Sequence, residues 1–304
     1  MIEFVFQQMV RAVCKIPFGL TLSTIILVSA TWAQPLGPIT LREYVEMRGP
    51  TKNGKPFSLT SICDIDRDPL AARVFREYGA IYSASKEVAL PPKCMFKSAE
   101  DLIAFQRTLR VKSARIAGTN IELQEAAMNA LLAAIEELWP RRITPLDGAI
   151  AGKRNYADTV RIWRSRFIPA LNYWVAKGRI SRIEADFAIL APVAEQVAKV
   201  MDWESRGIYF STGRTRSIFS SVAPPGTSQH LALIAFDVVE AGNPVVRSVL
   251  NKHGWFQTVY ADEPHFTYLG IPENELPKRG LQRIRRGNHT FWIPFIKLAK
   301  VTGP

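Results

Sequence analysis

The chain has 304 residues, of which 47% are hydrophobic and 22% charged, and it carries a formal net charge of +12. These values fit a globular protein with a sizeable core, built as one large or two modest domains. The basic surface favours polyanions, but none of the helix, finger or aromatic signatures of nucleic-acid readers accompanies it, so nucleic acid is not expected as a partner.

Residues 1–33 read as an export signal. Arg11 and Lys15 precede an apolar run, 16–30, and Thr31 and Ala33 supply the small residues for a cut after Ala33. The run is shorter than the ~20 residues of a spanning helix, so no stable membrane anchor is expected. Cys14 falls inside this segment. Cys63 and Cys94 would remain, either as a disulfide or as two separate buried thiols, and their spacing does not choose between these.

Residues 34–145 read as an N-terminal arm followed by helices. The arm is punctuated by Pro35, Pro38, Pro50 and Pro56, with one short helix over 41–47. Asp68 caps a helix over 69–78 that has Pro69 in its first turn. Ser98 and Asp101 resemble a capping box for a helix reaching 109. The spacing of Leu123, Ala127, Ala130, Leu131 and Ile135 predicts a core-facing helix over 121–138, stopped at Trp139-Pro140. Glu136 and Glu137 belong to its wet face.

Residues 146–304 read as a second domain, entered through a linker over 141–152. Helices are expected over 156–175 and 181–201. Trp163, Phe167, Leu171 and Trp174 form a packing stripe on the first, while Arg154, Arg161, Arg164 and Arg166 make its basic face. Strands follow over 208–210, 231–238, 255–260 and 265–269, with a helix over 244–252 ended by His253-Gly254 and a short helix over 273–279. A hairpin is expected around Arg286-Gly287-Asn288. His253 and His289 lack a motif context and read as structural or exposed.

The chemistry concentrates in this second region. His230, Asp237 and His265 are the residue types of a catalytic zinc site, which takes about three protein ligands and keeps one position open for water. His230 and Asp237 are seven apart. An odd separation along a strand puts two side chains on opposite faces, so the chain must bend between them if both hold one metal. Asp262, three residues before His265, could reach a metal-bound water without being a ligand.

At these residues the sequence resembles the zinc D-Ala-D-Ala carboxypeptidases and L-Ala-D-Glu endopeptidases that cut bacterial cell-wall peptides. Their first motif, S-x-H-x-x-G-x-A-x-D, is matched by Ser228, His230, Ala235 and Asp237, with Leu233 at the glycine position. Their second motif, in the form D-x-P-H-F, is matched by Asp262, Pro264, His265 and Phe266. The resemblance covers roughly residues 208–270. It implies an α+β fold, a small antiparallel sheet with flanking helices, preceded here by the helical N-terminal region.

The resemblance further implies Zn²⁺ as cofactor, held by His230, Asp237 and His265. Asp262 would be the general base, with Glu263 as its rival, since Glu263 is nearer to the alternative E-x-W-H form but one residue out of register. Arg216, with Arg214 in reserve, would contact a substrate carboxylate or the oxyanion, and Ser228 and Trp255 would complete the substrate site. Glycine at position 233 would permit a bulge or close backbone approach, and the leucine is expected to narrow the cleft.

The implied function is an exported zinc peptidase acting on peptidoglycan stem peptides, periplasmic or extracellular and associated with the cell wall. Anionic wall polymer is a further candidate partner. The competing expectation is a catalytically degenerate wall-binding module whose basic helices carry the affinity.

Overall fold

The computed structural model describes residues 38–48 and 58–297. The expected export signal and parts of the N-terminal arm lie outside the described residues. The fold mixes helices with small antiparallel sheets. Among the described residues no helix is long and apolar enough to cross a membrane.

Helices α1 (Leu41–Met47), α2 (Leu59–Ile62), α3 (Pro69–Tyr78) and α4 (Ala99–Gln106) come first. The caps work as their residue types dictate. Asp68 accepts from the Leu70 amide at 2.8 Å, and Ser98 accepts from that of Asp101. Asp101 does not complete a capping box; its carboxylate takes the Lys97 amide and the Lys93 ammonium instead. Cys63 and Cys94 are joined as a disulfide.

The helix expected over 121–138 begins later. Strands β1 (Val111–Ile116) and β2 (Thr119–Gln124) form a hairpin, and only α5 (Glu125–Leu138) is helical. Ala117 and Gly118 both have positive φ, the conformation of a tight two-residue hairpin turn. Ile121 and Leu123 are therefore buried with period two. Leu123 also lies four residues before Ala127, so the helical pattern ran on into the strand.

After α6 (Tyr156–Ala176) the next expected helix is two, α7 (Arg182–Leu190) and α8 (Val193–Ser205). Pro192 separates them: the residue before a proline avoids the helical region, and Ala191 is extended with ψ of 152°. The strand expected over 208–210 does not form. Its Ile208 amide donates to the Trp203 carbonyl, and its Phe210 amide donates to the Glu204 carboxylate, so neither is free for a neighbouring strand.

The C-terminal region holds β3 (Ala235–Asp237), α9 (Pro244–Lys252), β4 (Trp255–Phe256), β5 (His265–Tyr268), β6 (Leu281–Arg286) and β7 (His289–Pro294). Strands β3, β5 and β4 make an antiparallel sheet in that order, with β5 central, and β6–β7 is the expected hairpin. The stretch 273–279 forms two 3₁₀ turns rather than one helix.

Two apolar clusters hold these elements. One runs from Leu41 and Phe75 through Leu131 to Phe236, Trp255 and Trp292, so the N-terminal helices and the three-stranded sheet share one core. The other is centred on α6. Trp163 and Phe167 stack at 6.3 Å, Phe167 and Phe210 at 5.9 Å, and Trp203 and Phe210 at 5.5 Å. Trp163, Phe167 and Leu171 are packing residues, each Phe contributing about 1.5–3 kcal/mol by burial.

Candidate metal centre

Strand register builds half of the site. Phe236 pairs with Phe266 and both point into the core, so their neighbours Asp237 and His265, which pair directly, point to the opposite face. His230 arrives differently. The expected strand over 231–238 starts only at Ala235; before it Gln229–Ala232 is a 3₁₀ turn and Leu233 adopts left-handed backbone, φ 56° and ψ 32°. That bend cancels the odd spacing and turns His230 onto the same face as Asp237.

Three atoms then converge. His265 Nδ1 lies 3.0 Å from Asp237 Oδ1, His230 Nε2 lies 3.2 Å from the same oxygen, and the two ring nitrogens are 3.1 Å apart. The other ring nitrogen of each histidine has a partner: His230 Nδ1–H donates to the Gly152 carbonyl, and His265 Nε2 meets Gln229 Oε1, both at 2.8 Å. With both imidazoles neutral, the three facing atoms are acceptors with no proton between them. Ligands at about 2.0–2.1 Å from one tetrahedral ion lie roughly 3.3 Å apart, close to the spacing seen. The group fits a metal ion and could hold one.

The electrostatics suit a neutral His230 and an ionised Asp237. Burial, aided by the Arg154 charge, pushes His230 down to about 4. Burial works against the Asp237 carboxylate, but the charge and hydrogen bonds that His230 and His265 offer when they carry a proton more than offset it and hold the carboxyl well below its ordinary range. Asp237 Oδ2, turned away from the histidines, is paired with Arg154 Nη2 at 2.5 Å.

The turn carrying His230 is held from the N-terminal region. The carbonyls of Leu231 and Ala232 accept from the side-chain amides of Gln106 and Gln124, at 3.0 and 2.7 Å, and that of Leu233 accepts from the Gln124 backbone at 2.8 Å. The expected linker also serves the site. Pro145 bridges to Val238, and the Leu146 amide donates to the Asp237 carbonyl. At Gly152 a β-carbon would meet Ile121 Cγ2 at 2.9 Å, which is why glycine presents the carbonyl to His230.

The triad sits in a cleft of about 700 Å³ between α6 and the sheet. Asp262 lines it, and burial raises its carboxyl to about 6. Ser228 lines it too, beside His230. The other expected residues are elsewhere. Glu263 turns to Arg286 and His289, at 3.1 and 3.3 Å. Trp255 is fully buried against Phe236 and Tyr268. Arg214 stacks over the Tyr173 ring, Arg216 is exposed, and neither lines the cleft. The guanidinium groups that do belong to Arg154, Arg161 and Arg166.

Leu233 does not narrow the cleft. Its side chain is buried outside the cleft lining, and what a glycine would supply at this position is left-handed backbone. Gln229, Gly152 and Arg154 carried no signal as site residues. Gln229 sits between two motif residues, Gly152 looked like loop punctuation, and Arg154 was grouped with the basic face of α6 although it precedes the Asn155 cap. The chain matches no protein-family model and no curated protein sequence.

Proposed function

We propose that the chain is a zinc peptidase of the carboxypeptidase and endopeptidase type that acts on peptidoglycan stem peptides. The carrying observation is the convergence of His230 Nε2, Asp237 Oδ1 and His265 Nδ1 at a cleft that also presents Asp262. Two imidazoles and one carboxylate suit Zn²⁺. Bound there, zinc would polarise a peptide carbonyl and acidify a coordinated water.

The chain's own groups supply the remaining chemistry. Asp262, with its carboxyl near 6, is poised to take a proton as base and return it to the leaving amine. Arg161 and Arg166, on the α6 wall, are placed to pair with a carboxylate of an anionic peptide. The Gly152 carbonyl and Gln229 orient the two imidazoles. Export agrees with the disulfide, since such bonds persist in oxidising compartments.

A second reading, a binding module that does not cut, is favoured by one contact. Arg154 already neutralises Asp237, so the site holds together electrostatically without a cation. Asp262→Ala separates the readings. On a synthetic stem peptide it abolishes turnover and spares zinc binding if the peptidase reading holds. No hydrolysis by zinc-loaded wild type across carboxypeptidase and endopeptidase substrates would leave the binding module.

A further inference from the structure

We infer that Gln229 is a positioning residue that fixes the tautomer of His265 and so aims the Nδ1 lone pair at the ligand centre. This rests on the metal-site reading above and adds the residue that sets one ligand's protonation pattern. The reasoning is a chain of donors and acceptors that starts at a backbone carbonyl.

Tyr78 is the last residue of α3 and its carbonyl opens the 3₁₀ turn Gly79–Ser83, which leaves it a lone pair for a second donor. Gln229 Nε2 lies 2.8 Å from it. A carbonyl only accepts, so this end of the amide must be the NH₂ group. Gln229 Oε1 is thereby turned towards His265, Thr258 and Thr267. An amide oxygen also only accepts, so His265 Nε2 must carry the hydrogen. In the neutral imidazole Nδ1 then keeps its lone pair, facing Asp237 Oδ1 and His230 Nε2.

The threonines lock the amide against rotation. Thr258 Oγ1 and Thr267 Oγ1 are 2.6 Å apart, one donating to the other while a hydroxyl donates to Oε1. Turning the amide over would set its oxygen against the Tyr78 carbonyl and its NH₂ against the imidazole N–H, both at buried side chains. Gln229 therefore relays the polarity of a helix end in the N-terminal region to a ligand on β5.

The full chain tests this in metal-free and metal-titrated forms. Imidazole nitrogen NMR reads the His265 tautomer without metal, and competition with a chromophoric chelator reads Zn²⁺ affinity. Wild type should show one tautomer, Nε2–H. Gln229→Met, similar in volume but with no acceptor, should mix tautomers and bind Zn²⁺ about 10- to 100-fold more weakly. Gln229→Glu keeps the acceptor, and its carboxyl when protonated donates to the Tyr78 carbonyl as the amide does, so at low enough pH to hold that proton it should keep the single tautomer. An unchanged tautomer and affinity in Gln229→Met overturns the inference. So does a Gln229→Glu that behaves as Gln229→Met, because the loss would then be one of packing. If Gln229→Met does not fold, the wild-type spectrum decides: a mixed or Nδ1–H tautomer overturns the inference. A wild type that binds no Zn²⁺ contradicts the metal reading, and the tautomer comparison still decides the role of Gln229.

Discussion

Asp237 and His265 are directly opposed across the β3–β5 pair, and Asp237 Oδ1 lies 3.0 Å from His265 Nδ1 while its Oδ2 holds Arg154. One carboxylate thus faces a ligand centre on one side and a nearly buried guanidinium on the other. Removing it should cost both. Asp237→Ala is expected to lose Zn²⁺ binding and to destabilise the metal-free protein by about 3 kcal/mol, because Arg154 is left without its counter-charge. Denaturant unfolding and metal titration of the variant check the two effects separately.

Asp262 should trade stability for chemistry. Its folded value near 6 is raised from 3.8, so between these values the native state binds more protons than the unfolded chain, and stability falls as pH rises through that window. Above it the whole cost is present. Asp262→Asn should therefore stabilise the metal-free protein at pH 7.5 by about 1–2 kcal/mol while abolishing turnover. Wild-type activity should show an acid limb at or below about pH 6, since the base works only when ionised. A variant no more stable than wild type at pH 7.5 would contradict the buried placement of the carboxylate.

His230 has the opposite sign to Asp262. Its folded value is depressed to about 4 from 6.5, so the unfolded chain binds more protons in that window and stability is lost as pH falls through it. The metal-free protein should melt at lower temperature at pH 4.5 than at pH 7, and His230→Asn should flatten that part of the profile. Melting curves across the pH range compare the two chains.

Leu233 pays for its left-handed backbone with about 1–2 kcal/mol of strain, but its side chain is fully buried. Truncating a buried leucine costs about 2–5 kcal/mol, so packing wins. Leu233→Gly should lower the melting temperature and leave turnover within a few-fold of wild type. A large gain in turnover would restore the idea that the leucine obstructs the cleft.

The arginines give a kinetic contrast. Arg166→Ala and Arg161→Ala should raise KM for anionic peptides, whereas Arg216→Ala should leave it unchanged, because Arg216 is exposed and away from the cleft. Steady-state kinetics on one stem peptide settles which group of arginines meets the substrate.

His230, Asp237 and His265 were legible as a group because their residue types are few and they fall in register with the motifs of the peptidases that the sequence resembles. The helices with real end signals were legible too: Asp68 with Pro69 marks a start that the structure reproduces, and the helix over 244–252 forms up to His253-Gly254 as expected. What could not be read was anything set by a partner far along the chain. Ile121 and Leu123 fit helix and strand equally until Ala117-Gly118 turns the hairpin. Residues 231–236 are uniformly apolar because all are buried, which hides the end of the 3₁₀ turn among them. Gln106, Gln124 and Gln229 are ordinary glutamines until folding sets them against particular carbonyls.

The central claim is best tested by digesting purified peptidoglycan with the zinc-loaded protein, with and without a strong zinc chelator, and weighing the released fragments by mass spectrometry. The account predicts chelator-sensitive products shortened by one alanine or cut after the first L-Ala of the stem, and none from Asp262→Ala. Fragments that appear equally with the chelator, or no fragments on sacculi of either stem chemistry, would contradict it.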